Sequence, residues 1–136
     1  MYDVVALGEL LIDFTTQATD PDGYPTMTAH PGGAPANFLA AIAKFGGKAA
    51  LLGKVGTDTF GKLLTDTLRK AGIETKGLVA SDEFFTTLAF VTLDENGDRE
   101  FAFARKPGAD TQLRFDELDL SIIDEARVFH FGTLSL

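Results

Sequence analysis

The stretch His30-Pro31-Gly32-Gly33-Ala34-Pro35-Ala36-Asn37 decides how the rest of the chain is read. Two adjacent glycines let the backbone come close to another group. Pro35 suits the first turn of a helix, where its missing N–H is no loss. The segment therefore reads as a tight turn feeding a helix that runs to about Phe45, stopped by Gly46-Gly47. Phe38, Ile42 and Phe45, spaced by four and three, give that helix an apolar stripe.

Working outward, Val4 to Leu7 is a short apolar run ending at Gly8, the pattern of a buried strand. A second run, Leu10 to Ile12, leads to Asp13 and Phe14, and the Thr-, Asp- and Pro-rich stretch from Thr15 to Thr28 reads as loop with room for an edge strand. On the other side, Ala49 to Leu52 is the next buried strand and Gly53 to Gly56 a turn. A second helix starts with Thr57 or Asp58 as cap, carries Phe60, Leu63, Leu64 and Leu68 on one face, and ends at Gly72. Strand, helix, strand, helix is the pattern of parallel α/β units.

The pattern then changes. Thr86 to Leu93 and Arg99 to Ala104 alternate like strands, and Asn96-Gly97 between them is a strong hairpin signal. Such a hairpin in an α/β chain suggests a flap beside the main sheet. A short acidic helix from Phe115 to Glu125 and a last strand, Arg127 to Phe131, follow. A strand ending in Gly132-Thr133 ordinarily feeds a crossover helix. The expectation is an N-terminal part of a larger protein, or a chain whose other half comes from another chain.

Composition narrows the function. The 136 residues are 45% hydrophobic and 24% charged, enough for a globular core. Twelve Lys plus Arg against twenty Asp plus Glu give a net charge of −8. That disfavours a nucleic-acid partner, which needs a basic face to displace counterions. Cysteine is absent, which removes disulfides, Cys-based zinc sites and thiol nucleophiles. No apolar run approaches membrane-spanning length and the start lacks the basic residues of a signal peptide, so the expectation is a cytoplasmic protein without a membrane partner.

Each candidate functional residue has a plain structural reading beside the chemical one. Gly32-Gly33 is either a helix entry or, with Asn37, a small-ligand site using backbone N–H groups. Asp13 is either a turn former or a carboxylate that accepts charge-assisted hydrogen bonds from sugar hydroxyls. Arg105, in phase with Phe101 and Phe103, is either an edge charge or a donor that a flap brings onto a ligand. His30 and His130 have no metal spacing and read as structural, His130 within a buried strand. Gly56 to Leu63 nearly matches a phosphate-binding G-x-x-x-x-G-K-[ST] loop. Against it, Leu63 replaces the hydroxyl, Asp58 puts negative charge in the loop, and the stripe places Gly61 and Lys62 inside the helix with Lys62 in water.

Four blocks, Gly8-Glu9-Leu10-Leu11-Ile12-Asp13, Gly32 to Asn37, the Gly46 and Gly56 spacing, and Arg99-Glu100-Phe101 to Asp110, resemble the ribokinase-like (PfkB) carbohydrate kinases, and within them the fructokinases. Leu39 stands where that family has a small residue. The resemblance covers the whole chain. It implies a three-layer α/β/α sandwich with a small β-sheet lid, of which residues 1–136 form the N-terminal part, with lid elements at about 13–31 and 86–105. It implies transfer of the ATP γ-phosphoryl to fructose with Mg²⁺, a small-molecule sugar as partner, and possible homodimerisation through the lid. Carried over by position, Asp13, Gly32, Gly33 and Asn37 are the expected sugar-binding floor, and Phe103 and Arg105 touch the sugar from the lid. The family's second signature, a Gly-Ala-Gly-Asp turn carrying the catalytic base, has no counterpart here; Pro107-Gly108-Ala109-Asp110 lacks the second glycine. The resemblance therefore implies no catalytic residue, ATP site or metal ligand within this chain, and no turnover by it alone. A 2-keto-3-deoxygluconate kinase or other carbohydrate kinase is the nearest alternative, and a non-catalytic binding or dimerisation module is another.

Overall fold

The computed structural model describes residues 1–135. Its element order is β1 (Tyr2–Leu7), β2 (Leu11–Thr19), β3 (Pro25–Gly32), α1 (Ala34–Lys44), β4 (Ala49–Gly56), α2 (Thr59–Lys70), β5 (Ile73–Glu74), β6 (Leu78–Ser81), β7 (Leu88–Leu93), β8 (Arg99–Ala104), α3 (Leu120–Asp124) and β9 (Ala126–Phe131), with 3-10 turns at Ala109–Gln112 and Phe115–Glu117.

The main sheet is parallel, ordered β5-β4-β1-β9, with β6 also paired to β4. Successive strand residues face opposite sides, and the burial follows that rule. Val4, Ala6, Ala49 and Leu51 pack with Leu39 of α1 and Leu64 and Leu68 of α2. Val5, Ala50 and Leu52 face the other way and pack with Ile122 of α3. Helices on both faces of a parallel sheet are the layers of an α/β sandwich. The second sheet is ordered β3-β2-β7-β8, antiparallel except for the parallel β2/β7 pair. It leans on α2 through Phe14, which stacks on Phe90 at 5.2 Å and meets the Phe60 ring edge-on at 5.6 Å.

Several local expectations are corrected. Thr15 to Thr28 does contain an edge strand, β3, but most of the rest is also strand: the segment is a long hairpin with loop only at 20–24, because its threonines suit a pleated strand. A bulge between Thr16 and Ala18 interrupts the alternation that would have revealed it. The buried stripe of α1 is Pro35, Ala36 and Leu39. Phe38 lies about 100° round the helix from Leu39 and touches His130 at 4.8 Å, while Phe45 is 89% exposed. Leu63 likewise falls outside the buried face of α2. The acidic stretch from Phe115 to Glu125 is broken at Leu118, whose extended backbone (ψ 127) ends the 3-10 turn before Asp119 caps α3. Strand β9 is not buried: Val128, Phe129 and Phe131 are exposed, and His130 is half-buried.

The near phosphate loop is a helix cap. Asp58 Oδ1 accepts from the N–H groups of Phe60 and Gly61, both at 3.0 Å, and Oδ2 accepts from Thr86 N and Oγ1 at 2.9 and 3.0 Å. Lys62 is exposed and pairs with Asp66 one turn on. Burial pushes the Asp58 carboxyl up, but these bonds outweigh it and hold the group below its ordinary range. The depressed group stabilises the fold above its unfolded-state range and loses that contribution as pH falls through the folded one. Asp58→Ala is expected to remove about 2–3 kcal/mol, combining a lost cap with the orphaned, buried Thr86. Urea unfolding at neutral pH measures it, and the difference from the unaltered chain should shrink in acid.

Candidate functional site

Parallel α/β sheets place ligands beyond the carboxyl ends of their strands. At the ends of β1 and β9 a cleft of about 210 Å³ opens, bordered by Gly8, Gly132, Asp110, Thr111 and Ser135. The second sheet stands beside it. Cross-strand neighbours share a sheet face, and the ladder sets His30, Asp13, Ala89 and Phe103 in one row across all four strands. The next row is Thr28, Thr15, Val91 and Phe101. This face grades from polar at β3 and β2 to aromatic at β8, where Phe101 and Phe103 stack and are 55% and 44% exposed. The opposite face carries Phe14 and Phe90 and is covered by α2.

Asp13 is half-buried, and among the described residues no side chain or backbone N–H donates to its carboxylate. Burial raises its pKa above the ordinary carboxylate value, and the His30 imidazole across the ladder pulls it partly back. His30 itself is exposed, so it is no core histidine.

The two glycines serve different ends. Gly32 lies against the Asp13 carboxylate so closely that a Cβ would fall on Oδ2. Gly33 precedes α1 with φ 109, a conformation that favours glycine, and a Cβ there would overlap the Glu9 carbonyl oxygen. No side chain of the turn caps α1; instead Glu9 Oε1 accepts from Ala34 N at 3.1 Å, twenty-five residues away in sequence. A carboxylate at a helix N-terminus is also favoured by the helix dipole. Gly32→Ala should therefore keep the fold and displace Asp13, whose side chain can move. Gly33→Ala should cost several kcal/mol, because neither the backbone angle nor the Glu9 carbonyl can give, on the order of the strain of forcing such a conformation. Thermal unfolding of the two variants side by side checks the contrast.

Asn37 sits exposed in the first turn of α1, and its N–H donates to Gly33 O at 2.9 Å. It borders a small cavity of about 60 Å³ between α1 and α2 together with Gly32, and makes no hydrogen bond to Asp13. The structure thus joins Asp13 to Gly32 directly, and to Phe103 by register. Arg105 follows β8 with its guanidinium over the Phe103 ring, 5.6 Å from the centroid.

Arg105 is not a loose edge charge. It is paired with Asp110, whose carboxylate also accepts from Thr87 Oγ1 and from Ser135 Oγ at 2.7 Å. The sequence reading missed Glu9, Thr87, Asp110 and Ser135 as site-building residues. Glu9 and Asp110 do stand in the blocks that carry the family resemblance, and Asp110 also ends the incomplete Gly-Ala-Gly-Asp turn, but neither setting points to a site role. Larger concavities, about 430 Å³ beside Lys48 and Arg69 and about 610 Å³ beside Lys54, include none of the expected site residues. The second is already crossed by Lys54, which binds Glu117 at 2.7 Å. Among the described residues no group of three or more His, Cys, Asp or Glu could hold a metal ion.

The model of the pfkB family carbohydrate kinases matches residues 1–136. A probable fructokinase-3 of Arabidopsis thaliana is 47% identical over 135 residues, which are 98% of this chain and 39% of that protein. The crystal structure of a fructokinase from Xylella fastidiosa superposes with a TM-score of 0.90 at 36% identity, covering 96% of this chain and 41% of that one. The same organism's fructokinase with bound ATP gives 0.86 at 36% identity, over 96% and 39% of the two chains. The chain spans about two fifths of the length of the curated relatives it matches.

Proposed function

The chain belongs to the pfkB family of carbohydrate kinases, and on that premise we propose that it supplies the sugar-binding floor and lid of a fructokinase. The parent reaction is transfer of the ATP γ-phosphoryl to fructose, giving fructose 6-phosphate. The observation that carries this reading is Asp13, a half-buried carboxylate with no donor among the described residues, seated on a glycine in a sheet row that passes through buried Ala89 to the partly exposed Phe103. Such an acceptor suits the paired hydroxyls of a polyol, and aromatic rings suit its C–H faces. In this reading the sheet of β2, β3, β7 and β8 is the lid, Gly32, Gly33 and Asn37 form the floor, and Phe103 and Arg105 close from above.

ATP and Mg²⁺ would be held outside residues 1–136, as would the catalytic base. The Gly56–Lys62 segment does not fit a phosphate, because Asp58 fills it and both Asp58 oxygens are engaged. No helix of the described residues is long and apolar enough to cross a membrane.

Calorimetric titration of the chain with fructose, against a panel including glucose, ribose and 2-keto-3-deoxygluconate, tests the reading. Fructose is expected to bind most tightly, and the chain alone is expected to form no ADP from ATP and fructose. Preference for another sugar would replace the substrate, and fructose-dependent ADP formation would contradict the placement of base and nucleotide outside this segment. A second role is favoured by β8, which is exposed along its length and free on one edge. Pairing of two lids through that edge would give a homodimer, read by light scattering as twice the 14.6 kDa chain mass.

A further inference from the structure

Arg105 stands at the aromatic end of the proposed sugar face, yet its charge is already used. Nη2 donates to Asp110, and Asp110 has no exposed side-chain surface, whereas the Arg105 side chain keeps 16%. Thr87 donates to one Asp110 oxygen; Arg105 and Ser135 donate to the other. Asp110 cannot follow Arg105 outward, because its turn is pinned on both sides. Ala109 N donates to Phe85 O at 2.9 Å, and Lys54 Nζ holds the Gln112 carbonyl at 3.0 Å and the Glu117 carboxylate at 2.7 and 2.8 Å.

We infer that Asp110 is a specificity-determining residue that selects a neutral sugar over a sugar acid by withholding the Arg105 guanidinium from the ligand's carboxylate. The inference rests on the proposed reading of the Asp13–Phe103 face as the sugar site. A carboxylate ligand would need Arg105 as its counter-ion. Taking it would leave Asp110 buried with only two hydroxyl donors, a heavy penalty for an ionised group. The ligand would also share the face with the unpaired negative charge of Asp13. A neutral polyol meets neither difficulty, since it needs only a spare N–H. Guanidinium offers five donors, the bonds to Asp110 and Ser135 use Nη2 alone, and the side chain keeps 16% of its surface in reach of a hydroxyl. Discrimination thus arises from a built-in repulsive element as much as from an attractive one.

The test uses D-fructose and 2-keto-3-deoxy-D-gluconate as probes, titrated by nuclear magnetic resonance into the chain, Asp110→Asn, and Arg105→Gln/Asp110→Asn. The unaltered chain is expected to favour fructose by about tenfold or more, and Asp110→Asn to erase most of that preference by gaining affinity for the acid. The double variant should lose the gain. An unchanged preference in Asp110→Asn that still binds fructose overturns the inference and leaves the proposed function standing. Failure of fructose to bind the unaltered chain, with the acid gained by Asp110→Asn and lost in the double variant, overturns fructose as the substrate and supports Asp110 as the residue that excludes the acid. No gain in any background overturns the inference. Should Asp110→Asn not fold, the Arg105 Nε–H signal of the unaltered chain decides. It should move with fructose and stay fixed with the acid; movement with the acid overturns the inference.

Discussion

Replacing Asp13 with alanine is expected to weaken fructose binding by about 100-fold on the proposed reading, in which the carboxylate accepts two sugar hydroxyls and the variant loses two charge-assisted bonds. The fold should respond in the opposite sense. Burial raises the Asp13 pKa in the native state, so the native chain holds its proton more tightly than the unfolded one. The group's contribution to stability is then fully present below the unfolded-state pKa and is lost as pH rises through the folded one. At neutral pH the ionised, half-buried carboxylate works against folding. Asp13→Asn should therefore be more stable than the unaltered chain above that window, with the difference vanishing in acid, while binding fructose poorly. Stability conceded at a binding site is a common trade. Paired urea melts at pH 3 and pH 7, conditions on either side of about 4, check the sign. A destabilised Asp13→Asn at neutral pH would mean that the carboxylate is a structural acceptor.

The second large effect concerns the fold's fastening. Asp110→Ala is expected to remove about 3–5 kcal/mol, since it strands a mostly buried guanidinium along with the hydroxyls of Thr87 and Ser135. That is a large share of the ~5–15 kcal/mol that holds a typical domain together. The four segments meeting at Asp110 are the start of β7, the end of β8, the 3-10 turn and the turn after β9. Their loss should free the β7–β8 hairpin from the main sheet. Hydrogen exchange should then rise in β7 and β8 before β1 and β4, whose residues lie in the buried sheet core. Uniform acceleration across both sheets would contradict a local fastening role.

The elements that were legible in the sequence are those whose pattern is local. Val4 to Ala6 and Ala49 to Leu52 are continuous apolar runs, and β1 and β4 are buried on both faces of the main sheet. Asn96-Gly97 announced its hairpin, and Gly97 takes φ 82 in it. The Gly56–Lys62 decoy could be set aside because Asp58 conflicts with a phosphate, and Asp58 is the cap of α2. What stayed hidden depends on distant partners. Phe38 and Phe45 have the right spacing for a core stripe, but α1 approaches β1 and β4 through Ala36 and Leu39, which periodicity alone cannot rank above two phenylalanines. Glu9 caps a helix that begins twenty-five residues later. Asp110 gains its role from Thr87, Arg105 and Ser135, three positions with no common sequence signal. Asp13 was visible as a carboxylate after a strand, but its lack of an internal donor emerges only from the packed structure.

A crystal structure of the chain with fructose bears most directly on the account. The sugar is predicted to lie on the face shared by Asp13, Ala89 and Phe103, with two of its hydroxyls within hydrogen-bond distance of the Asp13 carboxylate and Arg105 still joined to Asp110. Fructose bound elsewhere, whether in the cleft crossed by Lys54 or on the bare face of β9, would contradict it.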